Sequence, residues 1–386
     1  MPRSSAPARI ARPRPSRSWR RSPCAPRAGD PLRSSPGGLA LLALLALVSF
    51  TLGCAGRCPE PVVDPASVTA TAVPCQPGLP AQAVPGDPLT LVGGNGFVYA
   101  RVDVAAIRRS PYGDLVESAF DWFLRAEVRE PGRTAVREGM ARTDVIAFSV
   151  EFEHGFTMVA QGRYTEADTE NFDLTDRYRR REHTIFTRRR TAVSVVQGRY
   201  FVVAEGVGVE AVLDRLDGLE DPAPVGGTML TAVTAMSAYH SYFSMIGIPA
   251  VVFRREFERE EGLAGVFSDL RWAGLSVTPS SQGVDVNGRV HTISEGSANA
   301  ILAKSLEVQQ EVVVELDREV PQLAEAGRAV SMTVTGTDAT LTLRADDARS
   351  RAVIQAVSDA FERQAQRRAS YSSSATATSP TPTATP

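Results

Sequence analysis

From Gly37 to Gly53 the chain is uncharged and almost wholly apolar (GGLALLALLALVSFTLG), and this run decides where everything after it folds. A helix that crosses a bilayer needs about 20 apolar residues. The apolar core of a secretory signal is shorter, with a basic stretch before it and small residues after it. The segment fits the second pattern: arginines crowd the leader, and Gly53 supplies the small-residue exit. Residues 1–53 therefore read as a signal peptide, and the chain beyond them as exported.

Removing that leader changes the charge. It holds nine arginines (Arg3 to Arg33) and one acid, Asp30, out of 42 basic and 44 acidic residues in the chain. The mature portion keeps 33 against 43, a net charge of about −10 rather than −2. So acidic a surface excludes a globally basic nucleic-acid binder, and no nucleic-acid partner is expected. Thr51-Leu52-Gly53-Cys54 resembles the lipobox of bacterial lipoproteins, with Thr51 and Leu52 in the reverse of the usual order. The resemblance implies a diacylglyceryl group on Cys54, cleavage just before it and acylation of the new amino terminus. The membrane, reached through that lipid, becomes the first expected partner. The expected location is the cell envelope, on the outer membrane or periplasmic face in a double-membraned bacterium.

Cys24 leaves with the leader, so Cys58 and Cys75 remain as a disulfide candidate favoured by an oxidising envelope. A metal site built on Cys54, Cys58 and Cys75 lacks a fourth ligand and a neighbouring histidine. No metal and no cofactor is expected. Residues 54–88 carry prolines at 59, 61, 65, 74, 77, 80, 85 and 88, a density that suits a semi-rigid stalk. Residues 368–386 end in a Ser/Thr/Pro tail with too little apolar surface to bury, expected to be disordered.

Residues 89–367 form the body. Gly93-Gly94-Asn95-Gly96 between two apolar runs predicts a tight hairpin turn rather than a phosphate cradle, because a strand pattern follows instead of a helix. Ser110-Pro111 opens a helix with Leu115, Val116, Ala119, Phe120, Phe123 and Leu124 on its apolar face. A second helix spans about 133–141. Alternation then predicts hairpins at 146–160 around His154-Gly155 and at 192–204 around Gln197-Gly198, followed by a short helix at 209–216. The second half reads as helices at 228–239 and 250–260, a hairpin across 279–283, and a long helix from 297 to 320 ended by Pro321. A hairpin across 336–338 and a last helix at 348–367 complete it. Hairpins alternating with helices predict an α+β fold of two related units, 89–222 and 223–367. Each would be an antiparallel sheet backed by helices, with a ferredoxin-like or split β-α-β arrangement expected.

Two stretches carry a further resemblance. Ser110-Pro111-Tyr112-Gly113-Asp114-Leu115 follows Val102-Asp103-Val104, and His183-Thr184-Ile185-Phe186 leads into the run from Val193 to Ala204. Both are similar to stretches of secreted bacterial lipoproteins of unknown function, in which an export signal and a spacer precede a β-α body. The likeness covers residues 97–216 and, less completely, 270–365. It implies no catalytic residues.

The chemistry-bearing residues are sparse. His154, His183, His240 and His291 show no zinc-binding spacing, no serine sits in a G-x-S-x-G elbow, and the body contains no cysteine. A binding or scaffolding role is therefore expected. The alternative is an enzyme whose site is assembled from residues distant in sequence. One local feature departs from the acidic background: Arg177, Arg179, Arg180, Arg181, Arg188, Arg189 and Arg190, interleaved with Tyr178, His183 and Phe186. Guanidinium groups bind phosphate or carboxylate through paired hydrogen bonds, so an anionic envelope component is a candidate partner. The competing reading is a solvated hairpin whose arginines pair with the protein's own acids.

Overall fold

The computed structural model describes residues 86–93, 96–127, 132–151, 155–172, 174–221, 227–249, 254, 263 and 265–377. The signal segment, Cys54, Cys58, Cys75, the stalk up to residue 85, His154, most of the expected 250–260 helix and residues 378–386 lie outside them. All the described residues belong to one compact unit.

Within the described residues twelve strands form one sheet. They are β1 (Val98–Asp103), β2 (Thr143–Glu151), β3 (Gly155–Gly162), β4 (Asp176–Arg180), β5 (His183–Arg188), β6 (Thr191–Val196), β7 (Tyr200–Glu205), β8 (Phe243–Gly247), β9 (Leu270–Pro279), β10 (Gly283–Thr292), β11 (Ser331–Thr335) and β12 (Asp338–Asp346). The order is β11-β12-β10-β9-β8-β1-β2-β3-β7-β6-β5-β4. The helices are α1 (Pro88–Leu91), α2 (Val104–Arg109), α3 (Gly113–Glu127), α4 (Gly132–Arg142), α5 (Gly208–Leu216), α6 (Thr228–Ala235), α7 (Val266–Asp269), α8 (Glu295–Glu319), α9 (Pro321–Arg328) and α10 (Asp347–Ala377). Two 3-10 helices cover Glu166–Phe172 and Ala238–His240.

The fold is α+β. One rung of paired residues crosses all twelve strands: Met332, Leu341, Gly288, Leu275, Met245, Ala100, Phe148, Met158, Val203, Val193, Phe186 and Arg177. The two expected units are therefore not separate sheets, because β1 lies between β2 of the first half and β8 of the second. A split β-α-β unit places an antiparallel strand between its two parallel ones, and the second half contains one: β10 connects through α8 and α9 to β11, and β12 lies between them, antiparallel to both.

Side chains alternate across the sheet, which gives it a Tyr99 face and an Ala100 face. On the Tyr99 face, Tyr99, Ala147, Val159, Val202, Ile185, Ile246 and Trp272 are buried beneath α1, α5 and α6. On the Ala100 face, Leu275, Val277, Val286 and Leu343 pack against Ile107 and Tyr112 beside α2 and α3, and against Ile354 of α10. Farther along that face, Phe201 meets Tyr164 and Phe172. Trp122 and Phe123 of α3 join a separate cluster with α8, α9 and α10.

Several expectations change at places where a few atoms decide the local structure. Leu89 to Val92 reads as a strand entering a Gly-rich turn, yet it begins as α1. Asp87 caps that helix by accepting from Leu89 N at 2.9 Å, and Pro88 takes the first position, where its missing N–H costs nothing. Gly94 and Asn95 lie outside the described residues. Pro321 ends α8 but also opens α9. Ser110 closes α2 and accepts from Tyr112 N before α3 begins at Gly113. α10 is described as far as Ala377, and residues 378–386 of the expected tail lie outside the described residues. Strands β4 and β8 and helix α2 were not expected.

Candidate functional site

β4 is one edge of the sheet, and the β4–β5 hairpin with its following turn carries all seven clustered arginines. Strand alternation sorts them. Ile185 is fully buried with Val209, Val212 and Leu213 of α5, and it pairs with Tyr178. Tyr178 and Arg180 therefore point toward α5. The Tyr178 hydroxyl donates to Glu210 at 2.9 Å; Arg180 pairs with Glu210 and, at 2.6 Å, with Asp214. Arg181, in the turn, reaches Asp214 at 3.5 Å and Asp217 at 3.3 Å. His183 Nε2 lies 2.9 Å from Asp217 Oδ1, and this hydrogen bond, with that from Arg181, holds the Asp217 carboxyl below its ordinary value. Three acids spaced along α5, from Glu210 in its first turn to Asp217 at its C-cap, thus absorb Arg180 and Arg181.

Arg177 and Arg179 project from the other face, paired across the hairpin with Phe186 and Thr184. Arg188 shares that face, and Arg189 and Arg190 form the turn into β6. All five are exposed. Among the described residues, Arg177, Arg179, Arg189 and Arg190 form no side-chain hydrogen bond or ion pair. The solvated-hairpin reading holds for the inward arginines and leaves the outward ones unexplained.

A second feature lies on the Ala100 face. A cavity of about 330 Å³ opens between α2, α3, α4 and Phe361 of α10. Its wall is apolar: Val104, Ile107, Val116, Ala119, Phe120, Phe123 and Met140 line it, and Phe361 packs edge-on against Phe123 at 5.4 Å between ring centres. The charges on its lining, Arg108, Glu117, Asp121 and Arg137, balance in sign. α4 forms one wall and is held largely by arginines. Arg108 donates to the carbonyls of Met140 and, at 2.7 Å, of Thr143. Arg137 bridges from α4 to Asp121 of α3 at 2.6 Å, and Arg142 pairs with Asp168.

No family model matches this sequence, and no curated protein does. The backbone is similar to that of the protein TP0453. Three of its crystal forms align with TM-scores of 0.42 at 14 to 16% identity, each covering 72% of this chain and 96 to 99% of theirs. A likeness of that degree says nothing about either site.

The remaining candidates are dispersed. His291 Nδ1 is 2.9 Å from Asp338 Oδ1, and Arg289 reaches the same carboxylate at 2.5 Å, at the far end of the sheet from His183. Among the described residues, no serine or cysteine bonds to either histidine. Among the described residues no group of three or more His, Cys, Asp or Glu could hold a metal ion, and no helix is long and apolar enough to cross a membrane. Sequence reasoning missed the cavity, whose walls come from four helices. Its one local trace is the aromatic excess of α3, where Phe120, Trp122 and Phe123 exceed what a single buried stripe needs.

Proposed function

We propose that this chain is a lipid-anchored protein of the cell envelope that binds an apolar or amphiphilic ligand between α2, α3, α4 and α10. The cavity carries the reading. An apolar cavity of about 150 Å³ stays dry and accepts benzene, so 330 Å³ suits a hydrocarbon on the order of ten carbons. Pockets of this size, mostly apolar with a few polar groups, are characteristic small-molecule sites. Here the balanced charges of Arg108, Glu117, Asp121 and Arg137 suit the polar end of an amphiphile while its chain leaves water. The envelope and the anchor rest on the signal-like segment, the lipobox-like Thr51 to Cys54 and the proline-rich stretch that follows.

Two experiments test the two parts. A fluorescent medium-chain fatty acid is expected to bind at one site per chain. Ala119→Phe, which adds bulk to the cavity wall, should weaken that binding at least about tenfold with the fold intact by circular dichroism, a loss of about 1.4 kcal/mol. Equal affinities would remove the cavity as the site. For the anchor, Cys54→Ser should abolish incorporation of a fatty-acid label and leave the precursor uncut; persistent labelling would show that Cys54 is not the acceptor.

A further inference from the structure

We infer that the outward arginines of the β4–β5 hairpin dock the protein on an anionic lipid surface. Strand alternation makes the cluster two-sided. Arg180 and Arg181 are neutralised by Glu210, Asp214 and Asp217, but Arg177, Arg179, Arg189 and Arg190 have no internal counter-charge among the described residues. Their exposure is a local exception in a mature chain of net charge about −10.

Register places this patch on one face of the sheet. Arg177 pairs with Phe186, and the rung continues through Val193, Val203, Met158 and Phe148 to Ala100. Val102, on the same face as Ala100, packs in one cluster with Ile107 and Val116, two residues of the cavity wall. Patch and cavity thus belong to one face of one continuous sheet.

The composition of that face favours a bilayer over an acidic protein or polysaccharide. Phe172, 39% exposed, rests on Phe201 of the same face and adds an apolar group beside the cations. Exposed acids lie nearby as well, Glu166 and Glu170 on the 3-10 helix that carries Phe172 and Glu205 opposite Thr191, yet none pairs with Arg177, Arg179, Arg189 or Arg190. Guanidinium forks match phosphate oxygens, and an exposed aromatic can enter the headgroup region that the cations bring close.

The test uses the chain from Ala55 onward, which keeps every described residue but lacks the apolar leader and Cys54. It should co-sediment with vesicles containing phosphatidylglycerol, only weakly with pure phosphatidylcholine, and less as salt rises, because exposed charges are screened. Each arginine near an anionic bilayer strengthens association about fivefold, so Arg177→Glu with Arg179→Glu should weaken it at least about twentyfold with melting temperature unchanged. Arg181→Gln, which removes an inward pair, should leave vesicle binding intact. Equal binding to both vesicle types, or an unaffected double variant, would overturn the proposal. So would capture by an acidic polysaccharide with no vesicle binding. A double variant that loses vesicles but still binds the fluorescent fatty acid supports docking and leaves the cavity reading standing. Vesicle binding by a wild-type chain that ignores the fatty acid would sink the cavity reading alone.

Discussion

Asp87→Ala should lower stability by about 3 kcal/mol, because it strands Arg101 inside the protein. Arg101 is 4% exposed and bonds Asp87 Oδ2 through Nε at 3.0 Å and Nη2 at 2.9 Å. The carbonyl of Ser241 at 3.3 Å and Asp103 at 3.6 Å remain after the change, which keeps the loss at the lower end for a broken buried pair. The same substitution removes the cap of α1, whose Leu89 and Leu91 are buried in the main cluster. For a body of this size that is a fall of roughly 6 to 12 °C in melting temperature. Asp87→Asn separates the two roles: it keeps an acceptor for Leu89 N but removes the charge. An Asp87→Ala protein that melts within about a degree of wild type would show that Arg101 finds another partner or water.

Ile354→Ala at the other end of the chain should cost a similar amount, about 3 to 4 kcal/mol, the usual range for truncating a fully buried Ile. Ile354 is wholly buried among Leu275, Val277, Val286 and Leu343 of the sheet and Ile107 and Tyr112 of the first half. Its removal leaves a void that a twelve-stranded sheet cannot easily close around. The informative quantity is which transition moves. With β1 paired on both sides and α3 packed against α10, calorimetry should show a single transition that both variants shift. Two transitions, one moved by each variant, would restore the two-unit organisation expected from the sequence.

The contrast between those outcomes also marks what sequence could reveal. Hairpins β2–β3, β6–β7, β9–β10 and β11–β12 were legible because alternation and turn residues lie within one short window; Gln197 and Gly198 even take the positive φ that a two-residue turn requires. β8 was missed because Phe243, Ser244, Met245, Ile246 and Gly247 are too few and too mixed to stand out, and their pairing partners are distant. The α+β class was legible, but the joining of both halves into one sheet was not, since β1–β8 pairing is non-local. The arginine cluster was visible as composition, while its two-sided character needed β4, which charge had disguised as a loop. The cavity depends on how four helices lean together, and no single stretch of sequence encodes that.

The pairing of β1 with β8 also sets an order of events. Val98 cannot meet Gly247 until the whole chain between them has been released. Until then β1 offers one bare edge flanked by the apolar rung that later spans the sheet, and bare apolar edges invite pairing with other chains. Closure across so long a loop is slow relative to local hairpins. The emerging polypeptide thus passes through an interval in which its local hairpins can form but its middle stays open. A holdase chaperone would act in that interval, and any change that delays β8 would raise aggregation without altering the finished protein.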